Sequence, residues 1–184
     1  QLLGLYAAAA SVLDEPRFAD VAREIVGYLV REQRHEIGAF YSSQDADSTE
    51  GEGVYYVWTS QQVLDVLGPE TGKLFLDTYP VTEKGNFEHG TTVLVRRSGA
   101  DPSTPGLPEA RQKLLEVRSG RVAPPTDTKR VVAWNGLLLG SLARAGRLLG
   151  EPSMVEHAKR CAKAVLAGMN EAGHLPRTLE SNAP

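Results

Sequence analysis

Residues 38–58 read GAFYSSQDADSTEGEGVYYVW, in which two runs rich in aromatic and β-branched side chains flank a polar segment. The runs at 38–42 and 54–58 have the composition of short strands, and the Asp, Ser and Gly residues between them favour turns. We therefore predict an inserted β-hairpin over residues 38–58. The acidic residues of its tip are Asp45, Asp47, Glu50 and Glu52.

The composition is that of an ordinary globular protein. The 184 residues are 41% hydrophobic and 23% charged, which predicts one domain with its own core. The formal net charge of -3 gives no general attraction to nucleic acid or to anionic membranes, and no apolar run is long enough to span a bilayer. Cys161 is the single cysteine, so we expect a reducing, cytoplasmic compartment. The chain opens on an apolar helical pattern without methionine, and we interpret it as a fragment of a larger protein.

A helical pattern occurs twice along the chain. Residues 2–13 are small and apolar on nearly every face, which predicts a buried inner helix. Residues 16–30 have apolar side chains at helical spacing on one face, which predicts an amphipathic outer helix. The same pattern returns 136 residues later, where Pro152 corresponds to Pro16. The repeat predicts two αα-hairpins.

The residues that follow each hairpin are also similar. Glycine, one residue and an apolar side chain occur at 38–40 and again at 173–175, as expected where a glycine caps an outer helix. Repeated αα-hairpins are typical of solenoids and toroids. We therefore predict that residues 1–184 form a mainly α protein built from αα-hairpins, arranged either as a solenoid or as a fragment of an (α/α) toroid.

A loop-rich insertion is predicted over residues 80–130. Ahead of it, Thr59-x-x-Gln62 is a capping box that predicts a helix start. Within it, a polar loop precedes a predicted strand at 91–96. The end of the insertion is basic, and these side chains either pair with the acidic tip or bind phosphate: Arg118, Arg121, Lys129 and Arg130.

Several motifs carry a resemblance to a known family. In chain order they are Ser43-Gln44-Asp45-Ala46-Asp47-Ser48, Glu52-Gly53, Tyr56-x-Trp58-Thr59, Gly85-Asn86-Phe87-Glu88, Asp127-x-Lys129 and Ala133-Trp134-Asn135-Gly136. This set resembles the helical part of the spermatogenesis-associated, thioredoxin-domain-containing protein family. The resemblance implies a toroid similar to six-hairpin glycosidases and N-acylglucosamine 2-epimerases, with a thioredoxin-like domain in the full-length chain. The family usually has two adjacent acids before the lysine, whereas Thr128 stands there in this sequence.

Asp45, Asp47 and Asp127 are the candidate catalytic residues. Sugar chemistry uses paired carboxylates as acid and base or nucleophile, and two like charges in one site raise the pKa of one partner. We expect Asp47 and Asp127 to form this pair. The alternative for Asp45 and Asp47 is an Asx turn, whereas Glu50 is better explained as a solvated side chain. An EF-hand is disfavoured, because its sixth and twelfth positions would be Glu50 and Tyr56.

The candidate substrate-binding residues combine aromatic faces with polar groups. An aromatic ring can stack on a sugar while neighbouring polar groups bond its hydroxyls. Packing within the hairpin is the alternative for the aromatic residues, and an Asn in a buried helix needs partners. The set is Glu52, Trp58, Asn86, Glu88, Lys129, Trp134 and Asn135. No histidine or cysteine pair has metal-ligand spacing, so we expect no metal and no other cofactor.

Two functions fit these residues. The first is a carbohydrate-active enzyme, a sugar hydrolase or an epimerase or isomerase. The second is a non-catalytic module that binds a glycan or a protein and serves the thioredoxin-like domain. Because an incomplete toroid leaves apolar inner-helix surface uncovered, we also expect self-association.

Overall fold

The computed structural model describes residues 1–179, and within them the protein is mainly helical, as predicted. The helices are α1 (Leu2–Leu13), α2 (Pro16–Tyr28), α3 (Ser60–Leu67), α4 (Pro69–Thr78), α5 (Leu107–Ser119), α6 (Val132–Leu149) and α7 (Pro152–Ala167). The strands are β1 (Ser43–Gln44), β2 (Asp47–Ser48), β3 (Gly51–Glu52), β4 (Thr126–Asp127), β5 (Arg130–Val131) and β6 (Thr178–Leu179). A π-helical turn at Leu29–Gln33 continues α2, and a 3-10 turn occupies Glu88–Gly90.

The chain divides into two compact units. Unit 1 combines Gln1–Gln44 with the segment that begins at Thr126, and unit 2 is the intervening Asp45–Pro125. Gln44 and Thr126 are partners in the antiparallel pair of β1 with β4, so the chain leaves unit 1 and re-enters it at the same place. Unit 2 is therefore an insertion in the turn between β1 and β4.

Unit 1 consists of two αα-hairpins that share one core. Helix α1 packs on α2, α6 packs on α7, and α1 and α6 pack on each other. The helix boundaries follow the repeat, because Pro16 and Pro152 both occupy the first turn of the outer helix. Both inner helices end at a residue in the left-handed conformation, Asp14 with φ of 53° and Gly150 with φ of 67°. The two predicted hairpins are confirmed.

Helix α1 is less buried than the sequence predicts. Leu3 and Ala7 are buried against the core of unit 1, but Leu2, Leu5 and Val12 are 63%, 64% and 81% exposed. The prediction that α1 is covered on nearly every face is therefore wrong for the described chain. Within unit 1 it packs on α2 and α6, and neither helix covers its remaining face.

The acidic β-hairpin is present but shorter than predicted. Strand β2 pairs with β3, so that only the tip of the predicted hairpin forms a hairpin. The flanking runs at 38–42 and 54–58 do not pair with each other. Phe40 instead forms a bridge with Arg34, and Trp58 forms one with Thr92. The predicted strand at 91–96 is reduced to that single bridge.

Unit 2 is built on three short helices. The predicted capping box is confirmed, since Thr59 Oγ1 accepts the N–H of Gln62 at 3.2 Å and Gln62 Oε1 accepts the N–H of Thr59 at 2.9 Å. Helices α3, α4 and α5 pack on one another around Val63, Phe75 and Leu107, which are fully buried. In the described residues, no helix combines the length and apolar character needed to cross a membrane.

Candidate functional site

The segment that enters α6 carries a fixed carboxylate, that of Asp127. Its Oδ1 accepts the backbone N–H of Lys129 at 3.1 Å, and its Oδ2 lies 3.1 Å from Lys129 Nζ. The backbone is held as well, because Ser42 donates both its N–H and its hydroxyl to the Asp127 carbonyl, at 3.2 and 3.1 Å. The Lys129 N–H and ammonium lower the pKa of the Asp127 carboxyl from its ordinary value of 3.8. Asp127 is thus ionised at neutral pH.

This arrangement predicts the titration of Asp127. We expect its carboxyl NMR resonance to titrate below pH 3.8, and the midpoint to rise in Lys129→Met. Because the folded pKa is lowered, the stabilising contribution is complete above the unfolded pKa and is lost as pH falls through the folded one. A midpoint above 3.8 would show the raised pKa that a general acid needs, and would refute this assignment.

Trp134 is an exposed aromatic residue in the first turn of α6. Its side chain is 56% exposed, and Leu137, one turn later, is 57% exposed. Lys129, five residues before Trp134, is also exposed. The entry to α6 therefore presents an indole face and, a few residues away in sequence, an ion pair with a solvent-accessible carboxylate.

Asn135 has a different environment, although it is the next residue. It is 2% exposed, and its Oδ1 accepts the N–H of Phe40 at 2.7 Å while its Nδ2 donates to the Phe40 carbonyl at 3.0 Å. Nδ2 also donates to the Val131 carbonyl, and the Cys161 thiol lies 3.4 Å from Oδ1. The amide is fully used by protein groups, so Asn135 holds the entry of α6 to the first hairpin and does not face a ligand.

The acidic tip is built as turns. Asp45 Oδ1 accepts the N–H groups of Ala46 at 2.8 Å and of Asp47 at 3.4 Å, which is the Asx-turn alternative considered for Asp45. Asp47 lies opposite Glu52 in the β2–β3 pair, and both residues are exposed. Asp45, Asp47 and Glu52 lie in unit 2, whereas Asp127 belongs to unit 1.

Trp58 is buried and unavailable as a stacking surface. It is 3% exposed, and the Arg121 guanidinium lies 4.0 Å from the centre of its ring. Arg121 also donates hydrogen bonds to the carbonyls of Tyr55 and Val57, at 3.2 and 2.7 Å. These bonds fix the backbone of the segment before α3. Sequence reasoning assigned Arg121 only to a basic loop. A side chain that bonds backbone carbonyls leaves no spacing signal in the sequence.

Comparison with known proteins identifies relatives over nearly the whole chain. Spermatogenesis-associated protein 20 of Homo sapiens is 32% identical over an alignment of 216 positions, which covers 97% of this chain and 27% of the human protein. The protein of the same name from Mus musculus is 31% identical with the same coverage. An uncharacterised protein of Caenorhabditis elegans is 25% identical over 86% of this chain and 26% of its own length. No protein-family model matches.

The chain is homologous to part of the spermatogenesis-associated protein 20 family. The resemblance inferred from the motifs is thereby confirmed. The chain spans only about 27% of the length of its human relative, so the activity and partners of the whole protein are open to proposal. The thioredoxin-like domain stays a prediction.

In this chain, the Gly85-Asn86-Phe87-Glu88 motif has a structural role. Asn86 accepts the N–H of Val93 at 2.8 Å and donates to its carbonyl at 3.0 Å, so its amide closes the loop. Gly85 has φ of 68°, and a Cβ there would lie 2.1 Å from the Thr91 carbonyl oxygen. The Glu88 carbonyl accepts the hydroxyl of Thr91 at 2.6 Å, and the Glu88 side chain is exposed.

The Glu52-Gly53 motif packs on this loop. A Cβ on Gly53 would lie 2.9 Å from the tip of the Phe87 ring, so the ring would have to shift to admit one. The seven predicted substrate-binding residues thus separate into three groups. Asn86, Asn135 and Trp58 hold the fold, Lys129 and Trp134 lie at the surface of unit 1, and Glu52 and Glu88 are exposed in unit 2.

Proposed function

We propose that this chain is a non-catalytic glycan-binding module in which Trp134 supplies the stacking surface. Sugar rings present C–H faces to aromatic side chains and hydroxyl groups to charged ones. The entry of α6 offers both kinds of group, an exposed indole at Trp134 and the Asp127–Lys129 pair. The exposure of Trp134 is the observation that carries the proposal.

The bonding of the acids supports binding over catalysis. A general acid at neutral pH needs a raised pKa, whereas the pKa of Asp127 is lowered by Lys129. The Asp45 carboxylate accepts a backbone N–H of its own turn. Both carboxylates are held by the protein itself.

A carbohydrate-active enzyme, hydrolase or epimerase, is the second candidate, and one observation favours it. The Asp127 side chain is ionised and 39% exposed, which suits a base or nucleophile. Under this candidate Asp127→Asn abolishes turnover. Under the binding proposal there is no turnover to lose, and the same variant only weakens glycan binding, because Asp127 is one of the charged groups beside Trp134 in the sequence.

The proposal extends to the cellular context of the chain. Burial raises the pKa of the Cys161 thiol to about 11, and a buried neutral thiol suits a reducing, cytoplasmic compartment. The thioredoxin-like domain of the full-length protein is the partner that the module would serve. Self-association through α1 is supported by the exposed Leu2, Leu5 and Val12.

Tryptophan fluorescence provides a direct test, because the chain has two tryptophans, Trp58 and Trp134. In Trp58→Phe the emission comes from Trp134 alone. We expect long-wavelength emission from the free protein, and a shift to shorter wavelength when a glycan from a mixed oligosaccharide library covers the indole. Titration calorimetry with the same glycan should show at least tenfold weaker binding for Trp134→Ala, about 1.4 kcal/mol.

Leu166→Ala is the matched control, since Leu166 is as exposed as Trp134 but lies near the end of α7. It should leave glycan affinity unchanged. A library in which no glycan shifts the Trp134 emission, or affinity that survives Trp134→Ala, would rule out the proposed binding site.

A further inference from the structure

Asn135 and Gly136 form the single Asn-Gly pair of the sequence. The backbone nitrogen of the residue after an asparagine can attack the side-chain amide carbon, and ammonia leaves as a five-membered imide closes. Water then opens the imide to aspartate, or to isoaspartate, in which the main chain runs through the former side chain. Glycine permits this attack most readily, because it has no Cβ beside its nitrogen. The other three asparagines precede larger residues.

The folded chain keeps the two reacting groups apart. Asn135 Oδ1 accepts the N–H of Phe40 at 2.7 Å, and Nδ2 donates to the carbonyls of Phe40 and Val131, both at 3.0 Å. The Gly136 nitrogen lies within α6, where it belongs to the helical hydrogen-bond ladder and not to the side-chain amide. Asn135 is 2% exposed, so the water that must carry the protons is excluded. Imide formation therefore requires Asn135 to leave Phe40 and the first turn of α6 to open.

Neither conformation nor packing requires a glycine at position 136. Gly136 has the helical backbone of α6 and is exposed, and within residues 1–179 an added Cβ would meet nothing within 4 Å. Glycine inside an exposed helix is less favourable than alanine. Gly136 instead alters the chemistry of Asn135, which an alanine at position 136 would protect.

The product of the reaction does not fit the site. In aspartate, one carboxylate oxygen can still accept the N–H of Phe40. The other oxygen replaces Nδ2, carries no hydrogen and faces the carbonyls of Phe40 and Val131. Burial of a charge against acceptors alone is strongly unfavourable. In isoaspartate the main chain gains a methylene in the first turn of α6, which breaks the helical register there.

The Asn135 amide joins the two hairpins of unit 1. Phe40 follows the first hairpin, and Asn135 belongs to α6 of the second. Beside this contact Gly38 packs on α7, where an added Cβ would lie 2.9 Å from the Cβ of Arg160. We call the contacts of Gly38 and Phe40 with the second hairpin the hairpin junction. Release of the Asn135 amide therefore means opening of the hairpin junction.

We propose that Asn135 is a deamidation site gated by the hairpin junction. While the junction is closed, the amide is inert. When the junction opens, the Gly136 nitrogen attacks the amide carbon, ammonia leaves and water converts the imide to an acid. The acid prevents the junction from closing again, so a reversible opening becomes a permanent one. This inference does not depend on glycan binding at Trp134.

Timed incubation in native buffer and in guanidinium chloride tests the proposal. Both samples are kept at the same mildly alkaline pH, and peptide mass spectrometry measures the acid formed at position 135. We expect formation at least about 100-fold faster in denaturant, because the native reaction depends on the small open population. After the denaturant is removed, the refolded fraction measured by circular dichroism should fall in step with the deamidated fraction.

Gly136→Ala is the matched control for the chemistry. In denaturant its Asn135 should deamidate at least about tenfold more slowly, because the alanine Cβ hinders the attacking nitrogen. The refolded fraction should rise accordingly. Asn135→Asp supplies the product directly and should melt at least as low as Asn135→Ala or fail to fold. A wild-type melting temperature for Asn135→Asp would show that the site accepts the acid and would overturn the proposal.

Gly38→Ala tests the gate while leaving Asn135 and Gly136 unchanged. Its added Cβ crowds Arg160, so in native buffer at a temperature where the variant is folded it should raise the deamidation rate at least about tenfold. Gly173→Ala should raise the rate less, because within residues 1–179 its added Cβ would meet nothing within 4 Å. An unchanged rate in Gly38→Ala, or equal wild-type rates in native buffer and denaturant, would refute gating by the junction.

Discussion

Asn135→Ala is expected to lower the melting temperature of the 184-residue chain by about 6 to 12 °C. The substitution leaves the N–H and carbonyl of Phe40 without partners in a site where Phe40 is 3% and Asn135 2% exposed. Each buried backbone group left unpaired costs about 1 to 3 kcal/mol, which gives a loss of about 3 kcal/mol in the free energy of unfolding. Circular dichroism melts of the wild-type chain and the variant measure the shift.

Asn86→Ala is the matched control for this prediction. Asn86 bonds both the N–H and the carbonyl of Val93, as Asn135 does with Phe40, but Asn86 is exposed. Water can therefore replace the lost hydrogen bonds, and the free energy of unfolding falls by only about 1 kcal/mol. If Asn135→Ala instead left the melting temperature unchanged and abolished glycan binding, Asn135 would be the ligand-binding residue that its sequence context suggests.

The helices of this chain could be predicted because their signals are local. The capping box at Thr59 and the prolines in the first turns of α2 and α7 each act within one helical turn. The 136-residue repeat shows the same local signals twice. Strand pairing was less predictable, since β1 finds its partner β4 some eighty residues away. Composition identifies a strand but does not name its partner, which is why the hairpin at 38–58 is shorter than expected.

The candidate site was also predictable only where its signals are local in the sequence. The sequence shows that a buried asparagine needs partners, but whether the partner is a ligand or a backbone segment depends on tertiary structure. For Asn86 and Asn135 the partner is backbone. The sequence makes Trp134 a candidate because an aromatic ring can stack on a sugar, but its exposure of 56% is known only from the structure. Trp58 is an equal candidate in the sequence, and its burial depends on residues distant along the chain, among them Arg121, Thr92 and Leu107.

Gly38→Ala is expected to cost about 3 kcal/mol of unit 1 stability, and its matched partner Gly173→Ala about 1 kcal/mol. Both glycines have positive φ, 99° and 79°, so both substitutions carry a backbone penalty. Among the described residues 1–179, only the added Cβ of Gly38 would meet a neighbour, at 2.9 Å from Cβ and 3.1 Å from the backbone of Arg160. Urea denaturation of the two variants measures the difference, which isolates the packing of α7 on the turn at residues 35–39.

Equal losses for the two variants would mean that the backbone conformation alone is responsible and that α7 can move away from Gly38.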